Sequence, residues 1–465
     1  MTAEKDKLTE AAKAELLQAW DGLIDNLQKA RDVIDNPALF GPAATPHVLA
    51  EGYRYLAGFI HHGIERSFHE DANFPAFRNA LSVYNKSTIE NPDAIYFYAP
   101  IDGSKRYRIT AQLPDYRHWR GEAPAESGPI AAQYLLFETS TAPMSGDTGN
   151  LAELAKGFRT SFGTLDSSEI QISDSGEIEL LLGPEKPEGY TGDFICTRKP
   201  PSKNNPDGED RYANYLSGRQ IFLDWEREIP IELKITALDY EGDHPAALTP
   251  ASASQHLNRM GSVIEGQMRF WMDFYDKVLN SHGSYPADGG PYFFPINAYN
   301  EPNAPSQATG GGMSTNISAG GIFELGADEA LYIEACFVET PLFSNCYLNN
   351  LWGESADYSN HQSSLNLTQM HMGTDKVQRW VIAHKDPGIQ NWLDTTGIEK
   401  GFIANRWVYS EFPDQADWPK IFAKKISFSE IDAHMPDDMP RVTPEQRKVA
   451  ISIRQAHVKR RFRVF

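Results

Sequence analysis

Cysteine is nearly absent: Cys196, Cys336 and Cys346 are three residues, odd in number and widely spaced. That argues against a disulfide framework or a cysteine-based zinc site, and Cys336 and Cys346, in or beside apolar runs, read as buried packing residues. No apolar run approaches the ~20 residues a membrane helix requires. The opening Met-Thr-Ala-Glu-Lys-Asp-Lys continues into an amphipathic pattern rather than an apolar secretion signal, so the cytoplasm is the expected compartment. Gly-x-Ser-x-Gly is missing, which removes the usual serine-hydrolase geometry. No dinucleotide fingerprint followed by an acid occurs. The glycine-rich segment 309–321 lacks the Gly-Lys-Ser/Thr end and the preceding strand of a phosphate loop. It reads as a plain connector, with a loop over a cleft as the alternative. No organic cofactor is expected. Positive charge is also short: 43 basic against 63 acidic residues leave a net charge of -20. Such a body is a poor partner for nucleic acid or an anionic membrane.

What is present is ordinary in bulk and uneven in detail. At 465 residues the chain can build two or three core-bearing units. Aromatics reach 11%, with 20 Tyr and 24 Phe, a surplus that suits β-structure and ring-lined pockets. Basic residues gather at the end, where Arg441, Arg447, Lys448, Arg454, Lys459, Arg460, Arg461 and Arg463 face Glu445 alone. The economical reading is pairing with the acidic body of the same chain or of a neighbouring subunit, hence a possible homo-oligomer.

Leu16, Trp20, Leu23, Ile24, Leu27 and Ile34 recur at helical spacing within 8–35, and Asn36-Pro37 ends that helix. A second helix runs from about Thr45, a cap followed by Pro46, to Phe68. From Asn91 the pattern turns to short alternating runs, with strands at 95–98, 106–111, 134–138, 169–173, 178–182 and 227–235. Residues 185–210 form a long surface excursion. A central helix occupies about 251–281, and 282–321 hold little regular structure. Strands return at 330–339, 345–351, 377–384 and 401–409. Thr443, Pro444 and Gln446 open a capped C-terminal helix. The sum is α+β: a β-rich, mainly antiparallel, sandwich-like core with N-terminal, central and C-terminal helices. Its regions are 1–90, 91–240, 241–321, 322–440 and 441–465, with no tandem repeat.

One stretch is denser in polar, aromatic and turn residues than a core element needs: 384–407, from His384 through Asp386-Pro387-Gly388, Asn391, Trp392 and Asp394 to Arg406-Trp407. With Ser363-Ser364-Leu365-Asn366 upstream it resembles the C-terminal signature of domain-of-unknown-function family 1214, a bacterial family common where aromatics or steroids are degraded. A second block agrees: Asn91-Pro92-Asp93-Ala94-Ile95-Tyr96, Ala99-Pro100-Ile101-Asp102-Gly103 and Tyr107-Arg108-Ile109. The resemblance implies a β-rich sandwich-like core with helical additions, and supplies no reaction.

If the two blocks flank one cleft, they supply the chemistry. His384, Asp386 and Asp394 would move protons, Tyr96 or Arg406 would stabilise an anion, and Trp392 would be an aromatic wall. Asn391, Asn366, Asn91, Asp93, Asp102 and Arg108 would bind ligand. The expected function is cofactor-independent acid–base chemistry (lyase, isomerase or hydrolase) on a small apolar or aromatic molecule. The alternative is a non-catalytic binding or accessory protein. Against both stands the plain reading that Asn-Pro-Asp and Asp-Pro-Gly are turns and that Asp394 caps one. His61, Glu65 and His69 share a helix face, but i, i+4 His and Glu more often pair with neighbours, so no metal site is expected.

Overall fold

Three long helices open the architecture. A computed structural model of the chain describes residues 2–36, 39, 42, 44–141, 149–154, 159–201, 208–276, 294–304 and 315–462. Helices α1 (Thr2–Asp35), α2 (Pro46–Phe68) and α3 (Pro250–Phe274) form a bundle. Thr45 caps α2 by accepting from the Val48 N–H at 3.2 Å, and Thr249 with Ser252 forms a capping box at α3. Leu23, Ile34, Tyr55, Phe59, Ile264 and Trp271 share one core with Tyr347 and Phe402, which belong to a sheet below. Helix burial is thus completed by β-structure rather than by the helices alone.

The rest is two β-sandwiches. In the first, strands Arg78–Leu81, Ala94–Pro100, Tyr215–Ile221, Tyr134–Ser140 and Ser161–Asp166 lie in that order. They face Lys234–Ala237, Tyr107–Gln112, Glu177–Gly183 and Asp193–Cys196 across a core of Phe97, Phe137, Ile109 and Leu180. In the second, Asn316–Glu324, Lys400–Val408, Phe343–Asn349 and Ser364–Asn366 face Lys420–Ser427, Glu329–Cys336, Gln378–Ala383 and Trp392–Asp394. Phe323, Leu348, Trp380 and Ile382 fill that core. The fold is α+β with a β-rich core, and pairing in these four sheets is antiparallel apart from one parallel edge pair in each sandwich.

The two sandwiches repeat one topology. Ala94–Pro100, Tyr107–Gln112, Tyr134–Ser140, Glu177–Gly183, Asp193–Cys196, Tyr215–Ile221 and Lys234–Ala237 stand in the same sheet order as Asn316–Glu324, Glu329–Cys336, Phe343–Asn349, Gln378–Ala383, Trp392–Asp394, Lys400–Val408 and Lys420–Ser427. Register makes positions correspond. Ile221 opposes Ala94 and Tyr134, as Val408 opposes Asn316 and Phe343. Arg219 opposes Tyr96 and Leu136, as Arg406 opposes Ser318 and Asn345. The repeat lies in topology and register and does not show as a period in the sequence.

Several boundaries differ from the sequence reading. The run 169–173 is not a strand; Ser161–Asp166 is the strand beside it. The excursion 185–210 contributes the sheet strand Asp193–Cys196, and the supposedly irregular 282–321 contains most of Asn316–Glu324. Gly321 serves that strand by allowing close backbone approach, since a Cβ there would fall 1.9 Å from the Ala298 carbonyl oxygen. Gly310-Gly311-Gly312, residues 277–281 of the expected central helix, and Arg463 lie outside the described residues. Cys336 ends its strand exposed, contrary to the packing role expected of it, while Cys346 is buried.

A short helix, α4 (Ile431–His434), precedes α5 (Pro444–Phe462). Helix α5 docks on its own chain, with Arg454, His457, Val458 and Arg461 buried. Its capping box is made by Thr443 and Gln446. Among the described residues no helix is long and apolar enough to cross a membrane.

Candidate functional site

Asn91, Asp93 and Asn366 do meet, in a polar knot that ties the sandwiches together. Asp93 stands just before the strand Ala94–Pro100 and is fully buried. Its Oδ1 accepts from Trp225 Nε1 at 2.9 Å and Asn366 Nδ2 at 2.8 Å, and its Oδ2 from Asn345 Nδ2 at 2.7 Å. Burial raises the Asp93 pKa, while the amide donors of Asn345 and Asn366 and the Arg461 and Arg454 charges pull it back. Arg461 lies 4.6 Å over the Trp225 ring and donates to the Pro92 carbonyl. Asn91 accepts from the Asp93 N–H at 2.9 Å. A buried carboxylate with both oxygens engaged in this way holds elements in place rather than facing a guest.

Tyr96 and Arg406 also come together, with Asn91, around a cavity of about 10 Å³ between the outward faces of the sandwiches. Arg406 donates to the Tyr347 hydroxyl at 2.7 Å and the Ile89 carbonyl at 3.1 Å.

The other candidates are placed elsewhere. His384, Asp386, Asn391, Trp392 and Asp394 surround the parallel edge strand of the second sandwich, and each is tied to neighbours. His384 holds Thr395 Oγ1 at 2.7 Å with Nδ1 and the Leu325 carbonyl at 3.1 Å with Nε2. Asp394 bonds His361 at 2.7 Å and accepts from the Thr396 N–H at 2.8 Å. Asn391 accepts from the His371 N–H and donates to the His371 and Arg379 carbonyls. Trp392 is buried, donates to the Ala383 carbonyl at 3.0 Å and lies 5.1 Å under Arg447. Asp386 accepts from Gly388 N–H and from Arg447 Nε at 3.0 Å, which pins α5. Asp102 sits in a turn, its pKa held below the usual range first by the Ser104 hydroxyl. Arg108 pairs with Glu241 at the surface of the first sandwich. On α2, His61 packs at 5.9 Å from Tyr84, and Glu65 lies 3.8 Å from Arg78.

Beside the knot lies a half-open cleft of about 570 Å³, walled by both sandwiches and α5. Leu223, Leu365, Val442 and Ile453 supply apolar surface, Gln369 and Gln390 supply amides, and Asp224, which accepts from the Glu226 and Arg227 N–H groups, and Glu226 supply carboxylates. Its three arginines are already committed: Arg441 to Asp432, Arg447 to Asp386, Gln362 and the Ile389 carbonyl, Arg454 to the Tyr358 and Ser364 carbonyls and to Ser364 Oγ. Gln369 Nε2 and Gln390 Oε1 keep unused capacity, the other end of each amide being bonded to Arg454 or to the Gln369 carbonyl. Trp225, Asn345 and Arg219 escaped the sequence reading, which named Arg454 and Arg461 only as members of the basic tail. Gly218-Arg219-Gln220-Ile221 and Asn405-Arg406-Trp407-Val408 share only the arginine, so strand register and not sequence makes Arg219 the counterpart of Arg406.

No family model and no curated protein matches the chain. Among solved structures it is similar to an uncharacterised protein from Burkholderia cenocepacia, at 26% identity and a TM-score of 0.70, over 90% of this chain and 99% of that one. That likeness spans both sandwiches. A protein from Vibrio parahaemolyticus aligns over 86% of this chain and 100% of its own, at 11% identity and a TM-score of 0.39, too loose an overlap to inform the site.

Proposed function

We propose that the protein binds a small, uncharged, largely apolar molecule in the cleft under α5 and holds it without chemical change. The observation that carries this reading is the cleft itself, about 570 Å³, a size suited to a metabolite, with apolar wall residues, spare amide groups, and acidic and basic side chains of both signs that leave no one-sided charge. Binding is favoured over acid–base catalysis because the groups expected to move protons are spent. His384 has both ring nitrogens engaged, and Asp386 is clamped by Arg447. Neither lines the cleft. A cytoplasmic setting, expected from the opening residues and the few cysteines, and membership of family 1214, expected from the two sequence blocks, belong to the same proposal; the blocks fall on the start of the first sandwich and on strands of the second.

Ala450 lines the cleft, so Ala450→Trp should fill it. Thermal-shift titration with neutral aromatic alcohols and steroids should stabilise the wild type by about 1–3 kcal/mol at saturating ligand, and the filled variant far less. A panel that stabilises neither protein, or both equally, rejects the cleft. A mass change in any bound compound rejects binding without chemistry.

A further inference from the structure

Arg219 and Arg406 occupy corresponding positions in the two halves, and both reach one cavity. Arg219 stands opposite Tyr96 on the first five-stranded sheet, on the face turned away from Ile95, Phe97 and Leu216 of its core. Arg406 stands opposite Ser318 on the second sandwich, on the face turned away from Ile317 and Ile403. The faces close on each other through an apolar rim that includes Ala94, Ile221, Phe343 and Val408. Each half therefore supplies one guanidinium, and the lining of the cavity contains no carboxylate. In a chain with a net charge of -20, that is an uneven distribution of charge.

The donors there are not used up. Arg219 lies with its guanidinium 5.4 Å from the Tyr96 ring centre, and its buried Nε has no hydrogen-bond partner. Tyr96 accepts from the Asn91 N–H at 3.2 Å, which leaves its own O–H to give. Arg406 spends Nε on Tyr347 and Nη2 on the Ile89 carbonyl, so Nη1 remains. Two carboxylates lie near these charges: Asp166, which accepts from the Tyr134 hydroxyl at 2.9 Å beside Arg219, and Glu90, beside Arg406. Glu90 Oε1 is held by the Ser355 N–H and hydroxyl, and neither carboxylate makes an ion pair with Arg219 or Arg406 among the described residues. A buried N–H or O–H without an acceptor is costly, and an anion strengthens such bonds. The apolar rim lowers the local dielectric and increases the attraction.

We propose that this cavity is an anion site shared by the two halves, taking one small monovalent anion: a halide ion, or the carboxylate of a small organic acid. Its volume of about 10 Å³ admits a single atom of the guest, a chloride or one carboxylate oxygen, and is too tight for all the oxygens of a phosphate. The site is independent of the neutral-ligand cleft, because the two linings share no residue.

Chloride NMR line broadening, on full-length protein exchanged into a buffer free of halide and carboxylate, tests the site. Wild type should broaden the chloride signal in a saturable way. Arg219→Gln should weaken that binding about tenfold or more, the loss of one charge-assisted contact. Tyr96→Phe, which keeps the ring and removes the O–H, should weaken it by a smaller factor and carries the test if Arg219→Gln fails to fold by circular dichroism. Displacement of chloride by acetate or benzoate assigns the site to carboxylates as well; displacement by neither assigns it to halide. Calorimetric binding of acetate without chloride broadening assigns it to organic acids alone. The proposal is overturned if wild type binds none of the three, or if the folded variants bind as wild type does. Ala450→Trp should leave anion binding unchanged, which separates failure here from failure of the cleft.

Discussion

The two sandwiches are built to one plan, and their differences sort structural residues from special ones. At the parallel edge strand, Asp193 of the first half accepts the Gln171 N–H at 2.7 Å, and Asn391, its counterpart, accepts the His371 N–H at 2.8 Å. Thr197 donates straight to the Gly103 carbonyl at 2.6 Å. Its counterpart Thr395 reaches the matching hairpin of the second half through His384, which spans Thr395 and the Leu325 carbonyl. The imidazole thus acts as a spacer doing what a direct hydrogen bond does in the other half. Where the halves agree, polar residues fasten loops. Where they part, one half alone supplies Asp93 to the knot, and the other alone supplies Asp386 to hold α5.

The sharpest way to break this comparison is to remove the part that only one half possesses. Asp93→Leu leaves the Trp225 indole N–H without an acceptor, takes one bond each from the Asn345 and Asn366 amides, and leaves Arg454 and Arg461 without the carboxylate they face. It should cost about 3–5 kcal/mol in urea unfolding, the cost of breaking a buried charged network. A cost below about 1 kcal/mol, the size of an exposed pair, would mean that the knot does not hold the sandwiches together.

Glu90, just ahead of the first half, gives a pH-dependent contrast. Burial raises its carboxyl to about 7 against an ordinary 4.5, more than the Lys86 charge and Ser355 bonds restore. Its protonated form is the one the fold prefers. The resulting stability is complete below about 4.5 and is lost as pH rises through about 7. Glu90→Gln should therefore flatten the fall in unfolding free energy between those pH values by on the order of 2–3 kcal/mol. Buried His62, lowered to about 3, contributes the opposite slope below 6.5. The difference between variant and wild type isolates Glu90, and parallel pH profiles would refute the assignment.

The smallest effect tests the equivalence itself. Asp193→Ala and Asn391→Ala should each cost about 1–3 kcal/mol, the range for orphaning buried backbone partners. Asn391 should cost the more of the two because it makes three such bonds. Ligand binding should survive both. Loss of binding at Asn391 with no loss of stability would restore it as a ligand residue and undo the pairing of the halves.

Much of this was legible in the residues, for local reasons. Amphipathic spacing and caps placed α1, α2 and α5, because helix ends and apolar stripes are written within a few residues. Alternation placed the strands around Tyr96, Arg108 and Arg406 to within a few positions. Tyr215–Ile221 and Lys420–Ser427 went unread. The first breaks its pattern at Gly218, and the second is an edge strand with mixed exposure.

Composition and short-range periodicity by themselves determined an acidic α+β chain with helices at both ends and strands between. Only the tertiary structure decided that the strands form the same sandwich twice, that Asp93 is a knot and His384 a spacer, and that Arg219 meets Arg406. The reason is range. Propensity and capping act over a turn of chain, whereas Asp93 meets Asn366 across 273 positions, where only folding brings the partners together.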